Sequence, residues 1–376
     1  MNQQEIRKRF PEMKIRWVRF PHLETAKLHK MIGVRPIANT ILGGKETGKS
    51  SLNECLASHY KQIIDLFGSR DNEGLAWLRS PLNKNNGNIL FLKGETVTID
   101  CNCADVKNTG DFKISDMTKY DVVISAAAFY SSIREEWKSV ATLMDHLWYR
   151  QGWSEPICLV IREAASLLAS RHILGEDQTH ALNYTIYVLR ELRHCGFAIT
   201  LDTIRWFGID RDIRAVTDYT FIKATGTEGL PHDLRFLYRY FNPFKIQQMK
   251  PNQFVVLSRQ GAIGTGTFQL PYWHKQEKEN LISQFDIRIK YDREAAYAIE
   301  NKNQKVSDLE HVRIIKMRLE LPETENSMNK LGTKIQRSPR TIQEQMRHHN
   351  NSISVVGSCD KCRRSQNKEY ENRIVD

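Results

Sequence analysis

The sequence lacks the features that would place the protein in a membrane or outside the cell. No apolar run approaches the roughly 20 residues needed to cross a bilayer. Residues 1–17 contain no apolar segment of the kind that marks a secretory signal peptide. The seven cysteines are an odd and sparse set in 376 residues, which argues against a disulfide framework. We therefore expect a cytoplasmic protein without a membrane span.

What is present is typical of a soluble globular protein, with 40% hydrophobic and 26% charged residues. The net charge of +11 is concentrated at the two ends of the chain. Residues 1–40 hold nine basic and three acidic side chains, residues 301–376 hold fifteen and ten, and the segment between them is neutral. Basic ends around a neutral body indicate contact with a polyanion, and solvated lysine-rich ends are an equally open alternative.

Short apolar runs alternate with longer helix-like stretches along the first two thirds of the chain. Runs rich in Val, Ile and Leu without alternation are typical of parallel strands that are covered on both faces. We predict such strands at residues 36–43, 62–67, 88–92, 121–129, 156–161, 197–201 and 219–222, and helices at 50–60, 132–150 and 179–195. Strands at 253–259 and 267–273 are expected to flank a glycine-rich turn at 261–266. This order predicts a three-layer α/β sandwich with a mostly parallel sheet.

Composition and pattern divide the chain into four parts. Residues 1–35 form a basic N-terminal arm, and residues 36–274 form the α/β domain. Residues 275–305 are polar without strong periodicity and are interpreted as a linker. Residues 306–376 contain three short helical patterns and a basic tail, which predict a separate all-α or α+β domain.

The sharpest motif is a phosphate-binding loop. The segment from Gly43 to Ser50 matches G-x-x-x-x-G-K-[ST], after a predicted strand and before a predicted helix. Its glycines permit the loop to wrap a polyphosphate with backbone N–H groups and the helix N-terminus facing the charge. Lys49 is expected to reach the β- and γ-phosphates of ATP, and the Ser50 hydroxyl to ligate Mg²⁺. The predicted nucleotide-binding residues are Gly43, Gly44, Lys45, Glu46, Thr47, Gly48, Lys49, Ser50 and Ser51.

Hydrolysis requires an acidic side chain at the end of a second strand. The apolar run at 156–161 is followed by Arg162 and Glu163, about 110 residues after the loop. Glu163 is the candidate to polarise the attacking water, and an ordinary strand-end glutamate is the alternative. The charged stretch at 65–73 follows another strand, and Asp65 or Arg70 is a candidate for the site or for a subunit contact, with a solvated loop as the alternative.

The strings LVIREAASLLASR and LRELRHCGFAITLDTIRWFGIDRDIR, taken with the phosphate loop, resemble the FtsK/HerA group of hexameric P-loop motors. Glu163 and Ala164 match that group's acid-alanine step, and Arg190, Arg193 and Gly196 match its approach to the next strand. The resemblance covers roughly residues 36–272. It implies a RecA-like P-loop fold, a homo-oligomeric ring of six subunits, and ATP hydrolysis that moves or packages double-stranded DNA.

Two residues depart from that group's pattern. Arg162 stands where the group has the aspartate linked to Mg²⁺, and Ile204 stands where it has a glutamine that senses the γ-phosphate. Arg162 is expected to turn away from Mg²⁺ toward a carboxylate such as Asp202, or toward DNA. The sensing role would be absent or would move to Thr203 or Asp202. In such rings an arginine from a neighbouring subunit stabilises the transferring phosphoryl group, and Arg193, Arg211 and Arg214 are the candidates, with plain surface arginines as the alternative.

The C-terminal patterns resemble a winged helix-turn-helix. Met328, Leu331 and Ile335 form one apolar face, and Ile342 and Met346 form another at helical spacing. The third helix, predicted at 339–349, would enter the major groove of DNA, and the basic tail would lie over the backbone. The candidate DNA-binding residues are Arg340, Thr341, Gln343, Arg347, Arg363 and Arg364. A winged module for protein contacts is the alternative.

Cys359 and Cys362 have the spacing of half a zinc site, but a second pair of ligands is needed, so two cysteines at a wing tip are favoured. The sequence as a whole predicts an Mg²⁺- and ATP-dependent DNA motor. The alternative is a nucleotide-gated DNA-binding regulator or replication initiator with weak turnover, which Arg162 and Ile204 favour.

Overall fold

The computed structural model describes residues 12–24, 27–66, 72–83, 88–150, 152–168, 176–274, 280–292, 314–315, 318 and 342–347. The chain divides into two compact units, Met1–Tyr291 and Asp292–Asp376.

A large sheet organises the first unit. Its strands are β1 (Met13–Arg19), β2 (Ala38–Leu42), β3 (Gln62–Leu66), β4 (Ile89–Lys93), β6 (Asp105–Asn108), β7 (Val122–Ser125), β8 (Ile157–Ile161), β9 (Phe197–Thr203), β10 (Tyr219–Ile222), β11 (Gln253–Ser258) and β12 (Ile263–Phe268). Their order across the sheet is β1-β12-β11-β10-β2-β9-β8-β3-β7-β4-β6. The eight strands from β10 to β6 are parallel, and β11, β12 and β1 continue the sheet antiparallel. A small second sheet pairs β5 (Val97–Asp100) with β13 (Arg288–Tyr291).

The α-helices of this unit lie between the strands. They are α1 (Pro21–Glu24), α2 (Lys27–Met31), α3 (Lys49–Ala57), α4 (Ile133–Trp148), α5 (Ala164–Leu167), α6 (Glu176–Glu191), α7 (Arg211–Val216), α8 (Pro243–Gln247) and α9 (Leu281–Gln284). Helix α3 packs on β9, β2 and β8, while α4 and α6 pack on each other. A 3₁₀-helix at Glu73–Arg79 follows β3 and contacts β7. None of the helices in the described parts of the chain is long and apolar enough to span a bilayer.

The central strands are buried on both faces. Every residue of β2, β8 and β9 is buried. Because successive side chains of a strand point to opposite faces, layers must cover both sides of the sheet. The predicted α/β fold with a mostly parallel sheet is therefore confirmed. The β2 strand lies between β10 and β9, and β8 lies beyond β9, which is the order expected of a RecA-like P-loop fold.

The sequence prediction of the last hairpin was wrong at its second strand. The turn predicted at residues 261–266 is shorter, and β12 begins at Ile263 rather than at residue 267. Gly264 and Gly266 lie inside the strand, where a Cβ on Gly266 would come within 2.3 Å of the Phe254 ring. These glycines therefore make room for aromatic side chains on the neighbouring strands and do not form the turn.

Four strands have no counterpart in the sequence prediction: β1, β5, β6 and β13. The β1 strand is taken from residues that were predicted to form a basic arm, and it pairs with β12 at the edge of the main sheet. Its residues alternate between more and less exposed positions, as in a strand with one solvated face. β13 lies in the segment that was predicted as a linker.

In the second unit, residues 342–347 are helical and fall within the third helix predicted for the winged module. Ile314, Ile315 and Ile342 are buried. Most of this unit lies outside the described residues, so the winged helix-turn-helix remains a prediction.

Candidate functional site

The phosphate loop connects β2 to α3 at the carboxyl edge of the parallel strands. The Gly43 amide donates to the carbonyl of Thr203 at 3.2 Å, and the Gly44 amide donates to the carbonyl of Ala224 at 2.9 Å. The loop is therefore attached to the ends of both neighbouring strands. Within it, the Thr47 hydroxyl donates to the Gly44 carbonyl at 2.9 Å. Helix α3 begins after Gly48 without a side-chain cap, which is the arrangement that suits an anion at a helix N-terminus.

Two glycines of the loop approach other backbone segments closely. Gly48 has a φ of 80°, and a Cβ there would lie 2.5 Å from the carbonyl oxygen of Pro251. A Cβ on Gly43 would lie 2.6 Å from Cβ of Lys223. Both positions therefore require glycine for close packing, and Gly48 requires it also for its left-handed conformation.

Lys223 is a residue of this site that sequence reasoning missed. It follows β10, is fully buried, and its amine donates to the carbonyls of Pro251 at 2.5 Å and Gln253 at 2.7 Å. Burial lowers the pKa of Lys223 to about 7. The sequence signal that could have found it is a lysine directly after the apolar run of β10. Lys223 ties the strand beside the loop to the segment that touches Gly48.

Lys49 is buried at the start of α3, and its amine donates to the Gly44 carbonyl at 2.5 Å. Burial lowers the pKa of Lys49, while the charges of Asp202, Glu73 and Glu163 oppose that shift. The amine thus lies inside the loop with three carboxylates close enough to act on it. This position fits the predicted contact with a triphosphate.

Ser50 contacts an acid that sequence reasoning did not select. Its hydroxyl donates to Glu73 Oε2 at 2.8 Å. Glu73 is the first residue of the 3₁₀-helix after β3, and it lies at the end of the charged 65–73 stretch that drew attention to Asp65 and Arg70. The side chain of Glu73 is 34% exposed, so it borders both Ser50 and solvent.

Arg162 turns into the protein interior toward carboxylates, as expected, but these are Asp65 and Glu54 and not Asp202. Its Nε lies 3.0 Å from both oxygens of Asp65, and its Nη2 lies 2.7 Å from Asp65 Oδ2 and 3.0 Å from Glu54 Oε1. All three side chains are fully buried. Asp65 also accepts from the indole N–H of Trp77 at 2.6 Å. Asp65 is therefore an interior counter-ion, and the solvated loop considered for it does not apply.

Glu54 has a second cationic partner. His274 Nδ1 lies 3.0 Å from Glu54 Oε1. Burial alone would raise the pKa of Glu54, but His274 and Arg162 outweigh it, so the pKa lies below its usual value. Burial likewise opposes the charged form of His274, yet the charge of Glu54 raises the His274 pKa. The cluster of Arg162, Asp65, Glu54 and the half-buried His274 links the ends of β3 and β8 to helix α3 and to the segment after β12.

Glu163 lies at the carboxyl edge, directly after Arg162. It has a φ of 47°, uncommon for a residue with a side chain. Its amide donates to Asp202 Oδ1 at 2.9 Å, and Asp202 Oδ2 accepts from the Asn53 amide at 3.1 Å. Burial, together with the charge of Glu73, raises the pKa of Asp202. The last carboxylate of β9 therefore fixes the backbone of the candidate catalytic glutamate.

The position of the expected γ-phosphate sensor holds no side chain able to donate a hydrogen bond. Ile204 lies just after β9, half-buried. The Thr203 hydroxyl exchanges hydrogen bonds with the backbone of Arg205.

The three arginines that were proposed to reach the nucleotide of a neighbouring subunit lie at different places in the fold. Arg193 lies 3.3 Å from Asp218, which bonds to the amide of Ala38 at the amino end of β2, the edge opposite the loop. Arg211 is exposed at the start of α7. Arg214 lies 3.6 Å from Asp233 and over the ring of Trp206. Their role between subunits remains a prediction.

Of the predicted DNA-binding residues, Gln343 and Arg347 are exposed on a helix. Arg340, Thr341, Arg363 and Arg364, with Arg70 and the Cys359/Cys362 pair, lie outside the described residues. Among the residues that are described, no group of three or more His, Cys, Asp and Glu side chains could hold a metal ion.

The residues of the loop fit Mg²⁺-ATP. The uncapped donors at the start of α3 and the buried amine of Lys49 suit the phosphates. Mg²⁺ keeps several waters and binds through few protein oxygens together with phosphates, so a hydroxyl and a nearby carboxylate suffice. Ser50 and Glu73 provide that pair.

Comparisons with known proteins give only weak likenesses. No family model matches the chain, and no curated protein matches it. Among solved structures, the genome-packaging NTPase B204 of Sulfolobus turreted icosahedral virus 2 with ATP-gammaS is 17% identical, covering 61% of this chain and 96% of that one, with a TM-score of 0.34. ATPases 2 and 3 of EssC from Geobacillus thermodenitrificans are 11% identical, covering 66% of this chain and 44% of that one, with a TM-score of 0.35.

Proposed function

We propose that the protein is an Mg²⁺-dependent ATPase of the FtsK/HerA type that uses ATP hydrolysis to move or package double-stranded DNA. The observation that carries this proposal is the phosphate loop between β2 and α3, with Lys49 inside it. The charges of Asp202, Glu73 and Glu163 favour the protonated form of Lys49. Gly43 and Gly48 let the loop pack closely against Lys223 and Pro251, and a loop fixed in this way is preorganised to bind phosphates.

Four residues at the carboxyl edge of the sheet have chemical roles in this proposal. Lys49 and the first amides of α3 would hold the triphosphate, and Ser50 would hold Mg²⁺, which would neutralise negative charge on the phosphates. Glu163 orients and deprotonates the attacking water, because its backbone is fixed by Asp202 while its side chain lies at the same edge as Lys49. Asp202 acts through Glu163 and is a positioning residue.

The coupling to DNA rests on the resemblance to FtsK/HerA motors and on the distribution of charge. Both basic ends of the chain flank a neutral body, as expected where a polyanion passes. In a hexameric ring, Arg193 or Arg214 would reach the nucleotide of a neighbouring subunit. The C-terminal module, with Gln343 and Arg347 exposed on its helix, would load or orient the complex on DNA.

The test measures ATP turnover with and without double-stranded DNA, alongside mass in solution with Mg²⁺-ATP. A DNA-stimulated rate from a ring-sized particle supports the motor. Turnover that double-stranded DNA leaves unchanged would contradict the coupling, and no nucleotide binding at all would contradict the whole proposal.

A second candidate is a nucleotide-gated DNA-binding regulator with weak turnover. The specific observation that favours it is Arg162, which occupies the strand-end position of the expected Mg²⁺-linked aspartate and is fully buried in an ion pair. A slow monomer or dimer that binds one DNA sequence would support this candidate over the motor.

A further inference from the structure

We infer that Glu73 replaces the missing strand-end aspartate as the acid that positions Ser50 for Mg²⁺. This inference rests on the proposed nucleotide site. In P-loop ATPases, the cation is held by the Ser or Thr of the loop and by an acid supplied from a second strand. Here the corresponding strand, β8, is followed by Arg162, whose side chain is fully buried and turned away.

The hydrogen bond from Ser50 to Glu73 has the geometry this role requires. The hydroxyl donates its proton to Glu73 Oε2 at 2.8 Å, which leaves the lone pairs of Oγ available for a cation. A hydroxyl that is oriented by a neighbouring carboxylate is a better-placed and more basic ligand than a free one. Glu73 is partly open to solvent, so its other oxygen can bind a water of the Mg²⁺ shell.

Arg162 supplies an independent observation that points to the same acid. Its Nη1 atom is buried and makes no hydrogen bond, although Nε and Nη2 are fully engaged by Asp65 and Glu54. Glu73 Oε2 lies 3.6 Å from this Nη1 atom, within ion-pair distance. The guanidinium thus attracts Glu73 toward the loop without a hydrogen bond that would compete with Ser50.

The 3₁₀-helix that carries Glu73 is held in place by the same cluster. Trp77, one turn further on, donates its indole N–H to Asp65 at 2.6 Å. Asp65 in turn binds Arg162 through both carboxylate oxygens. The chain of contacts from Trp77 through Asp65 and Arg162 therefore sets where Glu73 lies. An arginine therefore follows β8, where an aspartate was expected, and the acid that contacts Ser50 comes from the segment after β3.

The experiment measures affinity for a fluorescent ATP analogue in excess EDTA and in Mg²⁺, for the full chain and for E73Q. We expect Mg²⁺ to tighten binding by the wild type. In E73Q, affinity in EDTA should be unchanged, while the Mg²⁺-dependent gain should shrink roughly 10-fold or more. The matched control is E228Q, which removes one exposed carboxylate beyond the end of β10 and should keep the full gain.

A second variant and two contrary outcomes test the role of Glu73 further. E73D, which retains the charge on a shorter side chain, should recover part of the Mg²⁺-dependent gain and serves if E73Q does not fold. If folded E73Q keeps the full gain, or loses affinity equally in EDTA and Mg²⁺, the role of Glu73 is wrong while the nucleotide site stands. If the wild type binds no nucleotide under either condition, the proposed function itself fails.

Discussion

Arg162 and Asp65 form a fully buried ion pair, with Nη2 2.7 Å from Oδ2 and Nε 3.0 Å from each carboxylate oxygen. The pair joins the ends of two adjacent parallel strands, β8 and β3. Both residues lie near the carboxyl ends of these strands, the edge of the sheet that also carries the phosphate loop. The arginine that replaces the expected metal-binding aspartate is therefore a structural element of this edge.

Removing the arginine from this pair should be strongly destabilising. Arg162→Met leaves two carboxylates, Asp65 and Glu54, buried with less compensation, and we expect a loss of about 3–5 kcal/mol in the free energy of unfolding. The control Arg190→Ala removes an exposed ion pair with Asp212 and should change stability by about 1 kcal/mol or less. Urea denaturation measures both.

The double variant Arg162→Met/Asp65→Leu removes both charges. It should be less destabilised than Arg162→Met alone, since no carboxylate of Asp65 is then left unpaired. A double variant less stable than the single one would contradict this account.

Lys49→Ala should abolish ATP turnover and leave the fold intact. The lysine amine bonds only to the loop's own Gly44 carbonyl among the contacts described for it, so its removal breaks no link between elements. We expect turnover to fall roughly 100-fold or more, because a charge directed at the phosphates is lost. Lys61→Ala, at an exposed ion pair with Glu155, is the control. Wild-type turnover in Lys49→Ala would exclude ATP hydrolysis at this loop.

Glu163→Gln should bind nucleotide normally and hydrolyse it slowly. The amide cannot accept a proton from water, and general bases contribute roughly 100- to 10,000-fold to rate. The backbone bond from residue 163 to Asp202 does not depend on the side chain and should persist. Single-turnover hydrolysis and nucleotide binding are measured together, with Glu155→Gln as control. Full activity would mean that another acid activates the water.

The His274–Glu54 pair should make stability depend on pH. Because Glu54 raises the pKa of His274 above 6.5, the folded state holds its proton more tightly than the unfolded state. The stabilisation is therefore complete below pH 6.5, while Glu54 remains ionised, and is lost as pH rises through the folded pKa. Relative to His274→Gln, the wild type should be more stable by about 1–3 kcal/mol near pH 6.

That difference between wild type and His274→Gln should shrink by about pH 9. Unfolding free energies of the two proteins at both pH values measure it, and the subtraction removes the contribution of other titrating groups. A difference that grows with pH would show that His274 is not held in its charged form.

Gly266→Ala tests the packing of β12. The added Cβ would lie 2.3 Å from Phe254, whose ring is confined by Phe221 and Phe268. We expect a loss of about 1–3 kcal/mol from this overpacking. Gly110→Ala places its Cβ where no atom lies within 4 Å and should be close to neutral. Thermal unfolding compares the two, and equal melting temperatures would contradict the predicted clash.

The elements that the sequence predicted well are those with strong local signals. The run around Ile157–Ile161 and the loop from Gly43 to Ser50 are specified by continuous apolar residues and by glycine spacing, which act over a few residues. The β1 strand was missed because its charges alternate with apolar residues at the edge of the sheet, and such a pattern also suits an amphipathic arm.

By itself, the amino-acid sequence determined the phosphate loop, the succession of strands and helices, and the presence of an arginine where an aspartate was expected. Only the tertiary structure decided what that arginine does, because its partners Asp65 and Glu54 lie 97 and 108 residues away and meet it through strand pairing. The same holds for Glu73. Its bond to Ser50 depends on how the 3₁₀-helix is anchored by Trp77, a contact between side chains that no local pattern encodes.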